Sequence, residues 1–371
     1  MGRYEWLNKL ETKKYIMPFV IEKDNEYKKS LQAKFEFICN DIEISGAEKT
    51  FVNHVKNISG KIMNSFELYY KGELWAAHMN IDDIINSIPK DKPAFASIND
   101  TYQLWGNGTN VQLFRARLGE RMVDFPAEEM LHIPFDLRSK VRTERFSIPG
   151  LPCLYLGNTS YSCWIEMGAP DDARFNVSPV LIEKDMMVLN LAVSIRHIIK
   201  WHDELDENQS KDDTDKQLMT WLSLLLLTVA TSYAVKEENR DFKSEYIIPQ
   251  MIMLACKSNG MDGIVYISKK VSEEIFGMTV AVNVALFATF EGEEKYSKIC
   301  ENIMTADSFN FAMYNRILLN SLKYKHVDTT IRNSPLIKNI GTYGRQLPYA
   351  ETAFARFDEF LFSGDMRKIK I

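Results

Sequence analysis

Residues 145–166 read RFSIPGLPCLYLGNTSYSCWIE, and the order of residue types in this run decides how the chain is read. Pro149 to Pro152 is a loop, because two prolines and Gly150 suit neither a helix interior nor a sheet ladder. Cys153, Leu154, Tyr155 and Leu156 form a short apolar strand, ended by Gly157 and Asn158. Thr159 or Ser160 then caps a helix that runs through Trp164 and Glu166 toward Gly168 and Pro170. The reading puts Arg145 in a loop, Tyr155 on a strand, and Glu166 on a helix facing back toward the strand end. They stand ten and then eleven residues apart.

Outward from this run the texture stays mixed. Residues 111–118, VQLFRARL, alternate partly like a strand and carry Arg115 among apolar neighbours, with Gly119 to follow. Residues 187–193 are another apolar strand, and the Asp-rich stretch 202–216 reads as a solvated loop without the glycine and glutamate positions of a calcium loop. Residues 218–235 read as a buried helix. Ile248 and Pro249 open a further helix that Gly260 closes, and 263–266 and 279–288 are strands around a polar loop. Short strands mixed with helices, without regular alternation, predict an α+β fold.

Residues 1–98 read as helical. Apolar side chains recur at three- and four-residue spacing from Ile58 to Ile88, and Tyr69, Tyr70 and Trp75 are expected in the core. Pro89 to Pro93 breaks the pattern as a linker, 105–108 (WGNG) reads as a turn, and the chain beyond about 291 returns to a helical, polar texture. Three regions follow: 1–98, 99–290 and 291–371.

With 371 residues, 46% hydrophobic and 26% charged, the chain can bury a real core. A formal net charge of −5 leaves no global footprint for nucleic acid or an anionic membrane. Five cysteines are scattered singly. The odd count without a Cys-x-x-Cys pair argues against a disulfide framework and a thiolate zinc site. His197 and His202 are five apart and do not share a helix face, so no metal is expected. The first residues lack the apolar core of a signal peptide, and 218–235 is short for a membrane span and carries hydroxyls, which predicts a cytoplasmic protein.

Taken singly, each candidate has a plain structural reading. Glu166 alone would be a solvated helix residue, Arg115 an ion-pair partner, Tyr155 a core side chain and Ser268 a turn residue. The ordered set points further. Arg115, then Arg-x-x-x-x-Gly-x-Pro-x-Leu-Tyr from Arg145 to Tyr155, then Glu166 on the next helix, resembles the RES domain, named for its Arg, Glu and Ser residues. EYIIPQ at 245–250, GIVYIS at 263–268 and Val282-Asn283 are similar to the family's C-terminal half, which aligns its Ser with Ser268 and its Asn with Asn283. The resemblance spans roughly 111 to 290. The chain departs from it in one loop, where Thr143-Glu144-Arg145-Phe146-Ser147 replaces a Gly-Gly-Arg-Trp-Asn pattern.

The resemblance implies an ADP-ribosyltransferase-like domain of two small twisted sheets around a cleft, with helical extensions on both sides. It implies NAD as substrate, cleaved between nicotinamide and ribose by a glycohydrolase or phosphorylase acting as a toxin or defence effector. Arg115, Arg145, Tyr155, Ser268 and Asn283 would bind NAD, and Glu166, Arg145 and Tyr155 would serve the chemistry. The residue types suit that chemistry: arginine grips phosphate oxygens bidentately, an aromatic face stacks on a flat ring, and a carboxylate answers the positive charge that develops on the ribose. Transfer of ADP-ribose to a macromolecule, or nucleotide binding without turnover, are the competing expectations. A protein antitoxin covering the cleft is implied as partner, and self-association of the chain is an open expectation.

Overall fold

The computed structural model describes residues 2–90, 95–97, 111–183, 186–205, 210–237, 240–270, 282–322, 339–342 and 345–370. Along the chain, β1 (Phe19–Ile21) precedes α1 (Tyr27–Ile44), α2 (Lys49–Tyr70) and α3 (Leu74–Ser87), and β2 (Phe95–Ser97) follows them. Next come β3 (Val111–Leu118), β4 (Cys153–Gly157), α4 (Ser160–Glu166), β5 (Phe175–Ile182) and β6 (Met187–Leu191). Then follow α5 (Ile195–Asp203), α6 (Lys211–Thr231), β7 (Tyr233–Val235), α7 (Ile247–Ser258), β8 (Gly263–Ile267) and β9 (Val282–Phe287). The last stretch adds β10 (Ile303–Thr305), β11 (Phe309–Asn310), α8 (Phe311–Leu322), β12 (Asn339–Thr342), β13 (Arg345–Pro348), α9 (Ala353–Phe362) and β14 (Arg367–Lys368). Helices combine with both parallel and antiparallel strand pairs, so the fold is α+β.

The chain divides into two compact units, each assembled from separate stretches. Unit one is Met1–Ala96, Glu144–Phe146 and Val188–Ser272; unit two is Ser97–Thr143, Ser147–Met187 and Glu273–Ile371.

Unit one is built on apolar helix stripes. In α2 the buried Phe51, Val55, Ile58, Ile62 and Phe66 repeat at three to four residues, and α1 and α3 present matching rows. The helix α6 is buried nearly all round through Leu222, Leu224, Leu225, Leu226 and Leu227. Two parallel pairs join the helices: β1 with β7, placing Phe19 beside Tyr233, and β6 with β8, placing Val188 beside Gly263.

Several expectations change here. The helical run expected from 58 to 88 is broken at Gly72, whose φ of +79° suits glycine at a helix end. The break turns Tyr70 and Trp75 outward, the latter 74% exposed, away from the buried stripe of Ala77, Ile81, Ile84 and Ile85. Part of the expected Asp-rich loop is helical. The helix α6 starts at Lys211, where Ser210 Oγ accepts from the Asp213 amide at 3.2 Å and Asp212 and Asp213 meet the positive helix end. It stops at Thr231, and the residues expected to continue it form β7 instead.

Unit two carries an antiparallel sheet in the order β14, β10, β5, β3, β4, β9, with β11 also on β5. The strand β3 runs its full length along β5, from Val111 opposite Ile182 to Leu118 opposite Phe175. An aromatic cluster packs on this unit's helices: Phe311 stacks on Phe354 with ring centres 4.5 Å apart, and Phe357 sits 5.1 Å from Phe311. The stretch beyond 291, expected to be helical, contributes β10, β11 and β14 as well as α8 and α9. Strands of two or three residues carry no readable alternation, so only their partners reveal them. Of the strand expected over 279–288, Val282–Phe287 is described. Residues 279–281, the 105–108 turn and the 91–93 part of the linker lie outside the described residues.

Candidate functional site

Four of the sequence-derived candidates belong to unit two, and they form two linked pairs. Arg115 lies on β3, opposite Ser178 of β5, and its Nη1 donates to the Tyr155 carbonyl of β4 at 3.0 Å. The Tyr155 side chain is half-buried, and its hydroxyl meets Ser147 Oγ at 2.8 Å. Ser147 is a site neighbour the sequence did not single out. Its only signal is its place two residues after Arg145, where the family pattern has Asn.

The second pair is Glu166 and Asn283. Asn283, on β9 opposite Gly157 of β4, is 3% exposed, and its Nδ2 donates to Glu166 Oε1 at 2.7 Å. Among the described residues no bond to the other carboxylate oxygen is found, and Glu166 is half-buried. An uncharged donor thus fixes the carboxylate through one oxygen and leaves its second oxygen for a reacting group.

Local structure explains how Glu166 reaches that place. Thr159 caps α4: its Oγ1 accepts from the Ser162 amide at 3.0 Å, while the Thr159 amide donates to Ser162 Oγ at 3.2 Å. Behind the cap, Gly157 lets the helix approach the strand. A Cβ at Gly157 would stand 2.6 Å from both Cys163 Sγ and Ser162 Oγ. The Cys163 thiol donates to the Phe114 carbonyl at 3.4 Å, and burial pushes its pKa up to about 12. It is a packing group and no nucleophile at neutral pH. At the far end, Trp164 Nε1 donates to the Pro170 carbonyl at 3.1 Å, and Gly168 ends the helix with a φ of +81°. The helix is thereby held at both ends and against β3.

Arg145 and Ser268 belong to unit one. Arg145 is 6% exposed, and Nη1 donates to the Ile267 carbonyl at 2.8 Å. Its Nη2 donates to the Thr231 carbonyl, and its guanidinium lies 4.8 Å from the Tyr266 ring centre and 5.4 Å from that of Phe146. Both terminal nitrogens therefore hold backbone at the ends of β8 and α6. Ser268, directly after Ile267, is 1% exposed and its Oγ accepts from the Lys270 amide at 3.1 Å.

Other arginines near the motif are engaged elsewhere. Arg117 pairs with Glu129 at 2.9 Å, and Arg138 donates to the Gly150 carbonyl at 2.9 Å between the rings of Phe135 and Phe290. His132 is buried, accepts from the Ser297 amide at 2.9 Å, and has a pKa lowered mainly by burial. Among the described residues no group of three or more His, Cys, Asp or Glu could hold a metal ion, and no helix is long and apolar enough to cross a membrane.

No family model matches the chain. A Bacillus subtilis (strain 168) protein named "Putative toxin YopC" is 31% identical over 234 residues, which is 60% of this chain and 50% of that protein. The match thus spans about half the length of this curated relative. Among solved structures, the MbcT–MbcA toxin–antitoxin complex of M. tuberculosis aligns over 64% of this chain and 94% of the matched chain, at 12% identity and a TM-score of 0.28. A score that low does not bear on the fold.

Proposed function

We propose that the chain is a RES-type NAD-cleaving enzyme with an ADP-ribosyltransferase-like domain, acting as a toxin or defence effector. The observation that carries this reading is the Glu166–Asn283 bond of 2.7 Å: two residues far apart in the chain, each selected by the resemblance, are partners. The anchoring of Arg115 on the Tyr155 carbonyl supports it, and the name of the Bacillus relative supports the toxin role.

On this reading the ribose–nicotinamide bond breaks with its electron pair moving to the ring nitrogen, so nicotinamide leaves neutral. The ribose is left with oxocarbenium character, which the Glu166 carboxylate stabilises. Water then adds and loses a proton, giving ADP-ribose; phosphate in its place gives the 1-phosphate. Asn283 holds the carboxylate, Tyr155 offers a ring face, and Arg115 offers a guanidinium for pyrophosphate. Arg145 and Ser268 stand as NAD contacts on the resemblance alone, and the hydrogen bonds of Arg145 suit a residue that shapes the backbone next to Ser268. An enzyme that drains NAD needs restraint in the cell that makes it, so a protein antitoxin is proposed as partner.

The test is NAD level against time for the purified full chain and Glu166→Gln, with and without phosphate. Wild type is expected to lose NAD and release free nicotinamide, with Glu166→Gln slower by about a hundredfold or more. Equal rates would remove Glu166 from the chemistry. Dependence on phosphate would name phosphate as acceptor, and ADP-ribose found on a macromolecule would move the reading to a transferase. Tight NAD binding without turnover would make the chain a nucleotide-binding module.

A further inference from the structure

The segment 349–362 lies beyond the stretch that resembles a known family, yet its contacts converge on the first turn of α4, the helix that carries Glu166. Asp358 of α9 is 1% exposed. Its Oδ1 accepts from the Ser160 amide at 3.1 Å, and its Oδ2 accepts from the Tyr349 hydroxyl at 2.5 Å. The Ser160 hydroxyl in turn donates to the Phe354 carbonyl at 3.5 Å, and the Phe354 ring packs against Tyr161 at 5.2 Å and Trp164 at 5.6 Å. Thr352 caps α9 by accepting from the Ala355 amide at 3.2 Å, which fixes the helix that presents Asp358.

A carboxyl buried this deeply is costly unless its oxygens are hydrogen-bonded, as both are here. An apolar residue would fill the same volume, and the Ser160 amide is one of the donors left over at a helix start. Among the described residues no second buried acidic group is found beside Asp358. The titratable and charged groups around Asp358 are Tyr349 from the preceding turn, Cys163 from α4, Tyr314 from α8 and Glu359 of its own helix, and the last is exposed.

We infer that Asp358 is a positioning residue: with Tyr349 it pins the start of α4 and so sets where Glu166 stands, making the C-terminal segment part of the site's machinery. As a role in catalysis this rests on the NAD-cleaving reading; as a mechanical role it does not. Burial raises the Asp358 carboxyl to about 7, so its charge changes near neutrality. Above that pH the carboxylate is a strong acceptor for the Ser160 amide and the Tyr349 hydroxyl. Below it the neutral acid accepts more weakly, and the hold on α4 slackens.

Two readouts on the full chain separate the possibilities. The first is amide hydrogen exchange by mass spectrometry, comparing wild type with Asp358→Asn and with the milder Tyr349→Phe. Faster exchange in 160–166, with β5 as protected as in wild type, is the expected result. Unchanged exchange in 160–166, or loss of protection throughout unit two in both variants, would overturn the inference. The second is NAD cleavage against pH. Wild-type kcat is expected to fall as pH drops through about 7, and Asp358→Asn to lose that limb and run about tenfold or more slower above it, with KM little changed. A variant with wild-type kcat and wild-type pH profile would overturn the catalytic part. If wild type cleaves no NAD at all, the enzymatic reading fails, while the exchange result still decides whether Asp358 pins α4.

Discussion

Gly157 and Asn283 show how single residues set the site. They face each other across β4 and β9, one by lacking a side chain and the other by supplying an amide. Replacing Gly157 with Ala puts a carbon 2.6 Å from Cys163 Sγ and Ser162 Oγ, so α4 must move. Overpacking of this kind costs about 1–3 kcal/mol, to be read as a lower urea midpoint. Any displacement of α4 would also separate Glu166 from Asn283. Asn283→Ala removes the amide without overpacking α4. On the NAD-cleaving reading it should lower kcat about tenfold, with a stability cost of about 1–3 kcal/mol from the hydrogen bond lost at a buried site. A KM change at constant kcat would instead make Asn283 a substrate contact. The residues chosen from the sequence were legible because each is chemically distinctive. Ser147 and Asp358 were not: a serine and an aspartate in polar surroundings carry no pattern, and only the fold brings them to Tyr155 and Ser160.

The helix α4 is the element on which the site depends, and its seven residues are too few to be stable by themselves. Its cap, its glycine-permitted approach to β4, and its packing under Phe354 replace the missing length. Thr159→Ala removes the cap acceptor of the Ser162 amide and should cost about 1 kcal/mol, measurable by chemical denaturation. The boundaries of α4 were readable because the cap residue and the terminal glycine announce themselves locally. The ends of α6 were not. The aspartates after Ser210 look like a solvated loop in sequence and are a helix start in space, while the apolar run of 218–235 conceals the stop at Thr231. That stop is decided by strand pairing, since residues 233–235 lie against β1, far away in the chain.

At the scale of the whole molecule, buried titratable groups pull stability in opposite directions. Burial holds His54, His132 and His197 below their ordinary pKa, the last at about 4. The unfolded chain protonates them near 6.5, so this stability is complete above that pH and is lost as pH falls toward 4. Asp358 does the reverse. With a folded value of about 7 against 3.8 unfolded, it favours the folded state most at low pH, and that contribution is lost as pH rises through 7. Between pH 7 and pH 5 the urea midpoint of Asp358→Asn should therefore drop relative to that of wild type, because the opposing contribution is gone. A variant with the wild-type slope would show that Asp358 titrates at its unfolded value. The sequence by itself determined the α+β class, the strand–cap–helix run around Tyr155 and Glu166, and the amphipathic N-terminal helices, because those features rest on periodicity, turn chemistry and caps that act within about ten residues. Only the tertiary structure decided that Asn283 holds Glu166, that Arg145 grips backbone carbonyls, and that short strands beyond 291 extend the sheet. Those outcomes depend on which distant partner satisfies a buried donor, and no local pattern encodes that choice.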